Sequence, residues 1–167
     1  METPPLFDQL LDRLIDSQIE FVVIGGYASM IHGSTYVTHD LDICAVLTPE
    51  NVRRLREALG DLHPKHRMTP RKLSFLEIPQ EDAPPLHNLY LNTDWGTIDI
   101  LTNVTGVGDM QRLKNTATRI TDQGKTYYVM SLADLIKSKE TLAREKDLLV
   151  AKELRAIASA QQQPPNS

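Results

Sequence analysis

Apolar residues at Leu6, Leu10, Leu11, Leu14 and Ile15 recur at helical spacing and predict a first helix. Phe21-Val22-Val23-Ile24 is a short β-rich run that stops at Gly25-Gly26. Residues 27–32 read as a short helix with Gly33 as its stop, and residues 40–47 read as a strand. Thr48-Pro49-Glu50 opens another helix, with Thr48 as N-cap, proline in the first turn and an acid beside the helix dipole, and this helix runs to about Leu59-Gly60. Residues 61–87 contain five prolines and give no regular pattern beyond a strand over 73–78. Strands at 88–92 and 97–101 form a hairpin around Asp94-Trp95-Gly96, and residues 125–130 form another strand. Ser131-Leu132-Ala133-Asp134 has the form of a capping box and starts a helical region reaching about residue 159. Helices and strands mixed in this irregular order predict an α+β domain with a small mixed sheet, not a doubly wound parallel one.

The chain has 167 residues, 41% of them hydrophobic, enough for one self-sufficient core. A single domain is expected over 1–160, with a core at about 20–130 and a helical segment at 131–160. The polar, proline-rich stretch 161–167 reads as a disordered tail. Cys44 is the only cysteine, so no disulfide forms within the chain, which fits a reducing compartment. The net charge of -4 argues against a generically basic nucleic-acid binder. No apolar run approaches the ~18 residues of a membrane span, and the N-terminus lacks the pattern of a secretory signal, so a cytoplasmic location and no membrane partner are expected.

The most informative stretch is Ile24-Gly25-Gly26, thirteen residues, then Asp40-Leu41-Asp42-Ile43. Residues 40 and 42 of a strand share a face, while Leu41 and Ile43 point the other way into a core. Two carboxylates on one face repel each other unless a cation lies between them, and Mg²⁺ takes such oxygen ligands together with substrate phosphates. A strand ending in Gly-Gly before a helix presents bare backbone amides suited to phosphate. Asp99, flanked by Ile98 and Ile100 in a β run, supplies the third acid that a two-metal site needs. Together these point to a nucleoside triphosphate with Mg²⁺ or Mn²⁺.

The pattern Ile24-Gly25-Gly26-x13-Asp40-Leu41-Asp42-Ile43 followed by Asp99 resembles the DNA polymerase beta-like nucleotidyltransferase superfamily. Gly25-Gly26-Tyr27-Ala28, His32-Gly33 and Thr38-His39-Asp40-Leu41-Asp42 look like its bacterial branch related to abortive-infection (AbiEii-type) toxins. The likeness continues in Ser131-Leu-Ala-Asp134-Leu-Ile-Lys-Ser-Lys139 and Arg144-Glu-Lys146-Asp147, similar to that branch's lysine helix and its Arg-x-Lys-Asp segment. The resemblance implies a metal-dependent nucleotidyltransferase, with Asp40, Asp42 and Asp99 as catalytic metal ligands and Gly25 and Gly26 facing the triphosphate. It implies transfer of a nucleoside monophosphate to a hydroxyl on an RNA end, a protein or a small molecule, and a cognate partner protein if the chain is one half of a toxin–antitoxin pair. Tyr36 stands where the branch often has arginine, and Gly26 where a serine is common. These departures motivate a second reading, a catalytically silent nucleotide- or partner-binding module with the same fold. A nuclease or hydrolase using the same acids is a third.

Positions 132, 136, 139, 143, 146 and 150 fall on one stripe if the C-terminal helix is continuous. Lys139 and Lys146 on that stripe are candidates to reach the nucleotide's phosphates, the alternative being that their stems snorkel to water or that the helix breaks near Arg144; Asp147 is a candidate to pair with Arg144 or Lys146. Residues 53–72 hold seven Arg or Lys, while 73–109 hold none and carry six acids. Arg53, Arg54 and Arg56 fit the wet face of a helix, whereas the basic segment as a whole could hold a polyanion. His63 and His66 lack a second ligand pair for zinc, and Cys44 reads as a small buried residue. Tyr27 and Tyr36 could either stack on a base or pack at the rim.

Overall fold

The structure is a computed structural model and describes residues 4–79 and 83–162. Helix α1 (Phe7–Asp16) buries Leu10, Leu11 and Leu14, the stripe its spacing predicts. It leads into strand β1 (Phe21–Ile24), helix α2 (Gly25–Ile31) and strand β2 (Asp40–Ala45). Helix α3 (Pro49–Leu59) follows, capped by Thr48, whose hydroxyl accepts from the Asn51 amide at 3.1 Å. Strands β3 (Lys65–His66), β4 (Asn88–Thr93) and β5 (Gly96–Leu101) come next, β4 and β5 being the hairpin turned at Asp94-Trp95. The small ribbon of β6 (Asn103–Val104) and β7 (Gly108–Asp109) precedes helix α4 (Met110–Thr116). The chain closes with β8 (Thr118–Asp122), β9 (Lys125–Val129), α5 (Leu132–Leu142) and α6 (Glu145–Gln162).

Seven strands form one mixed sheet in the order β3-β4-β5-β2-β1-β9-β8. The pairs β2–β5 and β1–β9 are parallel, and the other pairs in the sheet are antiparallel. The register aligns Leu89, Ile100, Ile43, Val23 and Val129 in one row across five strands, all essentially without solvent exposure. Shifting one residue along β4, β5, β2 and β1 gives Tyr90, Asp99, Asp42 and Ile24, a row that points to the other face. The two-residue alternation of the central strands therefore separates the core from the chemistry.

One sequence expectation is corrected. Residues 73–78 form no strand: Phe75 donates its amide to the Pro64 carbonyl and Ser74 makes a single bridge to Lys65, after which the chain turns. Phe75 is the anchor of this segment, fully buried beneath the Arg56 guanidinium, while Leu76 and Ile78 stay exposed, so the alternating burial of a strand is absent. The expected helical region after Ser131 is present as two helices: Ala143, beside Arg144, takes a left-handed conformation with φ 55° and ends α5. Helix α4 and strand β8 lie where no element was expected: Asp109 caps α4 by accepting from the Arg112 amide, and β8 pairs with β9 through a turn at Gln123-Gly124. Of the expected tail, Gln161 and Gln162 end α6 and the rest lies outside the described residues. No helix among the described residues is long and apolar enough to cross a membrane.

Ser131 caps α5 as its sequence suggests, accepting from the Asp134 amide at 3.1 Å. The Asp134 carboxylate does not complete a box. It is buried and takes two hydrogen bonds from the Arg112 guanidinium at 3.1 and 3.2 Å and one from the Thr116 hydroxyl at 2.5 Å, tying α5 to α4. Burial alone would raise this carboxyl, but the Thr116 and Arg112 bonds outweigh it and hold it below the usual range. Arg112→Ala leaves a buried charge with only hydroxyl partners and is expected to destabilise the chain by about 2–3 kcal/mol in urea unfolding. A loss within ~0.5 kcal/mol, the level of an ordinary surface change, would show that the pair does not hold α4 in place.

Candidate active site

Asp40 and Asp42 stand two residues apart on β2 and share its face, and Asp42 is paired in register with Asp99 on the adjacent parallel strand β5. One carboxylate oxygen from each of Asp40, Asp42 and Asp99 lies within 4.8 Å of the others. Leu41, Ile43, Ile98 and Ile100, the alternate residues of the same strands, are fully buried and fix the register. Three hard oxygen donors converging at this distance suit a divalent cation such as Mg²⁺ or Mn²⁺. Burial, Asp99 and Asp40 together push the Asp42 carboxyl up to about 7, partly offset by the charges of Lys139 and Arg67. Burial also raises Asp99, by more than its bond to Arg67 lowers it.

The glycines before the acids have a steric reason to be there. Gly25 has φ 64°, and the Asp42 carboxylate occupies the space a Cβ would need. At Gly26 a Cβ would meet the Thr38 hydroxyl at 2.7 Å. Gly25 thus lets Asp42 fold back against the start of α2, and Gly26 brings α2 close to the chain that enters β2.

A cleft of about 330 Å³ opens beside the acids and is lined by Gly26, Thr38, Asp40, Asp42, Lys139 and Lys146, among others. The turn at Ala143 folds α6 back along α5, so Lys139 and Lys146 meet in one cleft although they do not share a helix. Asp147, almost wholly buried, organises this end. It accepts from Arg144 Nε at 2.6 Å and lies 3.6 Å from Lys139 Nζ. Burial works against its charge, but Arg144 and Lys139 hold it below the usual carboxylate range. The pairing of Asp147 with Arg144 is the one its spacing suggests. Tyr36 also lines the cleft, whereas Tyr27 packs edge-on against Phe7 and donates its hydroxyl to Asp8 at 2.5 Å, away from any base.

Two neighbours of the site carry no signal in the sequence. Glu153 on α6 accepts from the Ser34 hydroxyl and from the Thr35 amide at 3.1 Å, which pins the loop between α2 and β2 over the cleft. Arg67, counted only within the basic segment, reaches Asp99 at 2.5 Å. Neither carries a local signal, since each acts on a partner at least 32 residues away. Arg53 and Arg54 pair with Glu50 or Glu57 on their own helix, as the wet-face reading expects, and Arg56 bonds the Phe75 carbonyl.

No protein-family profile matches the chain, and no curated protein matches it by sequence. Solved structures do match its fold. The lincosamide antibiotic adenylyltransferase LnuA, solved with lincomycin bound, is 14% identical with a TM-score of 0.57, the match covering 93% of this chain and 99% of that one. An antigenic nucleotidyltransferase-like protein from Paracoccidioides brasiliensis gives 12% identity and a TM-score of 0.53 over 94% of this chain and 78% of its own. A candidate nucleotidyltransferase from Thermotoga maritima gives 16% identity and 0.52 over 92% and 93%. The chain has the nucleotidyltransferase fold, a mixed α+β arrangement with C-terminal helices.

The raised Asp42 carboxyl has a consequence for stability. Folded and free of metal, the chain keeps a proton on Asp42 up to about 7, whereas the unfolded chain releases it near 3.8. Stability therefore falls as pH rises through that window, and the full cost remains above it. Asp42→Asn removes the cost. The metal-free variant is expected to be more stable than wild type by about 1–3 kcal/mol at pH 8 and nearly equal to it at pH 4. A variant less stable than wild type at pH 8 would contradict the electrostatic account. Gly25→Ala is expected to lose at least ~2 kcal/mol in the same assay, because it adds both left-handed strain and a clash with Asp42.

Proposed function

We propose that the chain is a metal-dependent nucleotidyltransferase that moves a nucleoside monophosphate from a nucleoside triphosphate to an acceptor hydroxyl. The reading rests on one observation: three carboxylates converge beside a cleft that Lys139 and Lys146 also line. Carboxylates and lysines lining one cleft suit a triphosphate that arrives with its cation, where neither group alone would.

On this reading Asp40, Asp42 and Asp99 hold the cation. A divalent ion there would supply Lewis-acid stabilisation of charge on the attacking and departing oxygens. Lys139 and Lys146 bind phosphate oxygens, with Lys139 oriented by Asp147; Gly26 borders the phosphate end, while Gly25, absent from the cleft lining, lies against the Asp42 carboxylate. Asp40 and Asp42 line the cleft, while Asp99 stands one strand further out, so the acceptor approaches from the β5 side. Asp99 takes the hydroxyl proton, the oxygen attacks the α-phosphorus in line, a new O–P bond forms, and the bond to pyrophosphate breaks. We place the chain, as a single catalytic domain over 1–160, in the bacterial branch related to AbiEii-type toxins on its two sequence motifs. A hydroxyl on an RNA end, a protein or a small molecule suits the reaction, and a cognate partner protein would accompany a toxin.

The test is transfer of label from each α-labelled triphosphate, with Mg²⁺ or Mn²⁺, into cellular RNA, protein or small molecules. Wild type is expected to label one class of acceptor. Asp42→Asn is expected to lose activity by at least about 100-fold, and Lys139→Ala by about 10- to 100-fold. Labelling that persists undiminished in Asp42→Asn, or no labelling of any acceptor by wild type, rejects the proposal.

A further inference from the structure

The row of side chains that contains Asp42 and Asp99 does not end at the acids. Tyr90 on β4 stands in register with Asp99, and Arg67, just past β3, donates its amide to the Tyr90 carbonyl at 2.8 Å. The Arg67 side chain lies over the Tyr90 ring, 5.7 Å from its centroid, and passes Nη2 to Asp99 Oδ1 at 2.5 Å. This edge of the sheet thus delivers a cation to the outermost of the three carboxylates.

The guanidinium is held by only part of its donor set. A full arginine–carboxylate fork uses two parallel bonds, and here one reaches Asp99. Nη1 meets only the Met68 sulfur at 3.6 Å, and the buried Nε has no hydrogen-bond partner among the described residues. The Asp99 side chain is 14% exposed and that of Arg67 29%, so the carboxylate is the more enclosed partner of the pair. A positive charge this close to a ligand oxygen also opposes any second positive charge on the same carboxylate. A group that is incompletely bonded and of like charge to an incoming cation is placed to compete with it rather than to assist it.

We propose that Arg67 is the resident counter-ion of Asp99 and competes with a divalent cation for that carboxylate. The triad then takes a first ion at Asp40 and Asp42, and a second only as Arg67 yields Asp99. The proposal rests on the reading of the triad as a metal site. It makes Arg67 a residue that sets the occupancy of the acceptor side without touching substrate. The second ion therefore binds weakly by itself, and more tightly when something else, such as the triphosphate's own charge, adds to the pull on it.

The experiment is Mn²⁺ titration of the full chain without nucleotide, with free Mn²⁺ followed by electron paramagnetic resonance. Wild type is expected to bind one ion and then a second at least about tenfold more weakly. Arg67→Gln, which removes the charge, is expected to tighten the weaker step by about tenfold, while Arg67→Lys, which keeps it, stays near wild type. Unchanged or weaker binding by Arg67→Gln overturns the proposal and makes Arg67 a support for Asp99. A check on wild type needs no variant: Mg²⁺ titration followed by the Arg67 Nε–H proton signal should show faster exchange with water during the second phase alone. A signal constant through both phases overturns the competition as well. If wild type binds no Mn²⁺, the metal reading of the triad falls first and this proposal with it, an outcome distinct from two-step binding that is indifferent to Arg67.

Discussion

The in-register parallel pairing of β2 with β5 sets Asp42 beside Asp99 and Ile43 beside Ile100 in one stroke. Neighbouring strands lie only about 4.8 Å apart, so this register alone forces two carboxylates together on one face of the sheet. Burying Ile43 and Ile100 on the other face gives the register its driving force, because a slip of one residue would turn those side chains out to water and the acids into the core. The apolar row thereby sustains the strained electrostatics of the acidic row. The raised carboxyls of Asp42 and Asp99 are the visible cost of that arrangement.

The rest of the site reads as a response to this concentration of negative charge. Gly25 lacks the Cβ that would collide with Asp42 and turns the chain into α2 with a positive φ. Arg67 comes from one edge of the sheet and Lys139 from the C-terminal helices, so the acids have cations on both flanks. Lys139 is itself anchored by the buried Asp147, which also binds Arg144 at the turn between α5 and α6. That turn, made by Ala143 in a left-handed conformation, folds the second helix back so that Lys146 joins the same cleft. Glu153, further along α6, holds the loop that carries Ser34 and Thr35 to the cleft rim. One helical hairpin thus supplies the lysines, the carboxylate that holds Lys139 and the clamp on the entering loop.

Much of this was legible in the sequence, because it is encoded by short-range rules. A β-rich run stopped by Gly25-Gly26, and acids alternating with Leu41 and Ile43 or with Ile98 and Ile100, specify strands with one chemical face whatever their neighbours are. The caps at Thr48 and Ser131 and the turn at Asp94-Trp95 are likewise local. Where local pattern and environment disagreed, the reading failed. Residues 73–78 look like a strand, but Phe75 is held by the Pro64 carbonyl and by Arg56, both remote in sequence. Lys139 and Lys146 fall on one stripe only if the helix is unbroken, and their convergence comes instead from the turn between two helices.

By itself, then, the sequence determined the mixed α+β fold class, the strands that bear Asp40, Asp42 and Asp99, and the faces on which these acids stand. Periodicity and chain stiffness carry that information from residue to residue. Tertiary structure decided which strands became neighbours, and therefore that Asp99 would meet Asp42, that Arg67 would meet Asp99, and that Glu153 would reach Ser34 and Thr35. Those meetings are set by the simultaneous burial of residues far apart in the chain, which no local window contains.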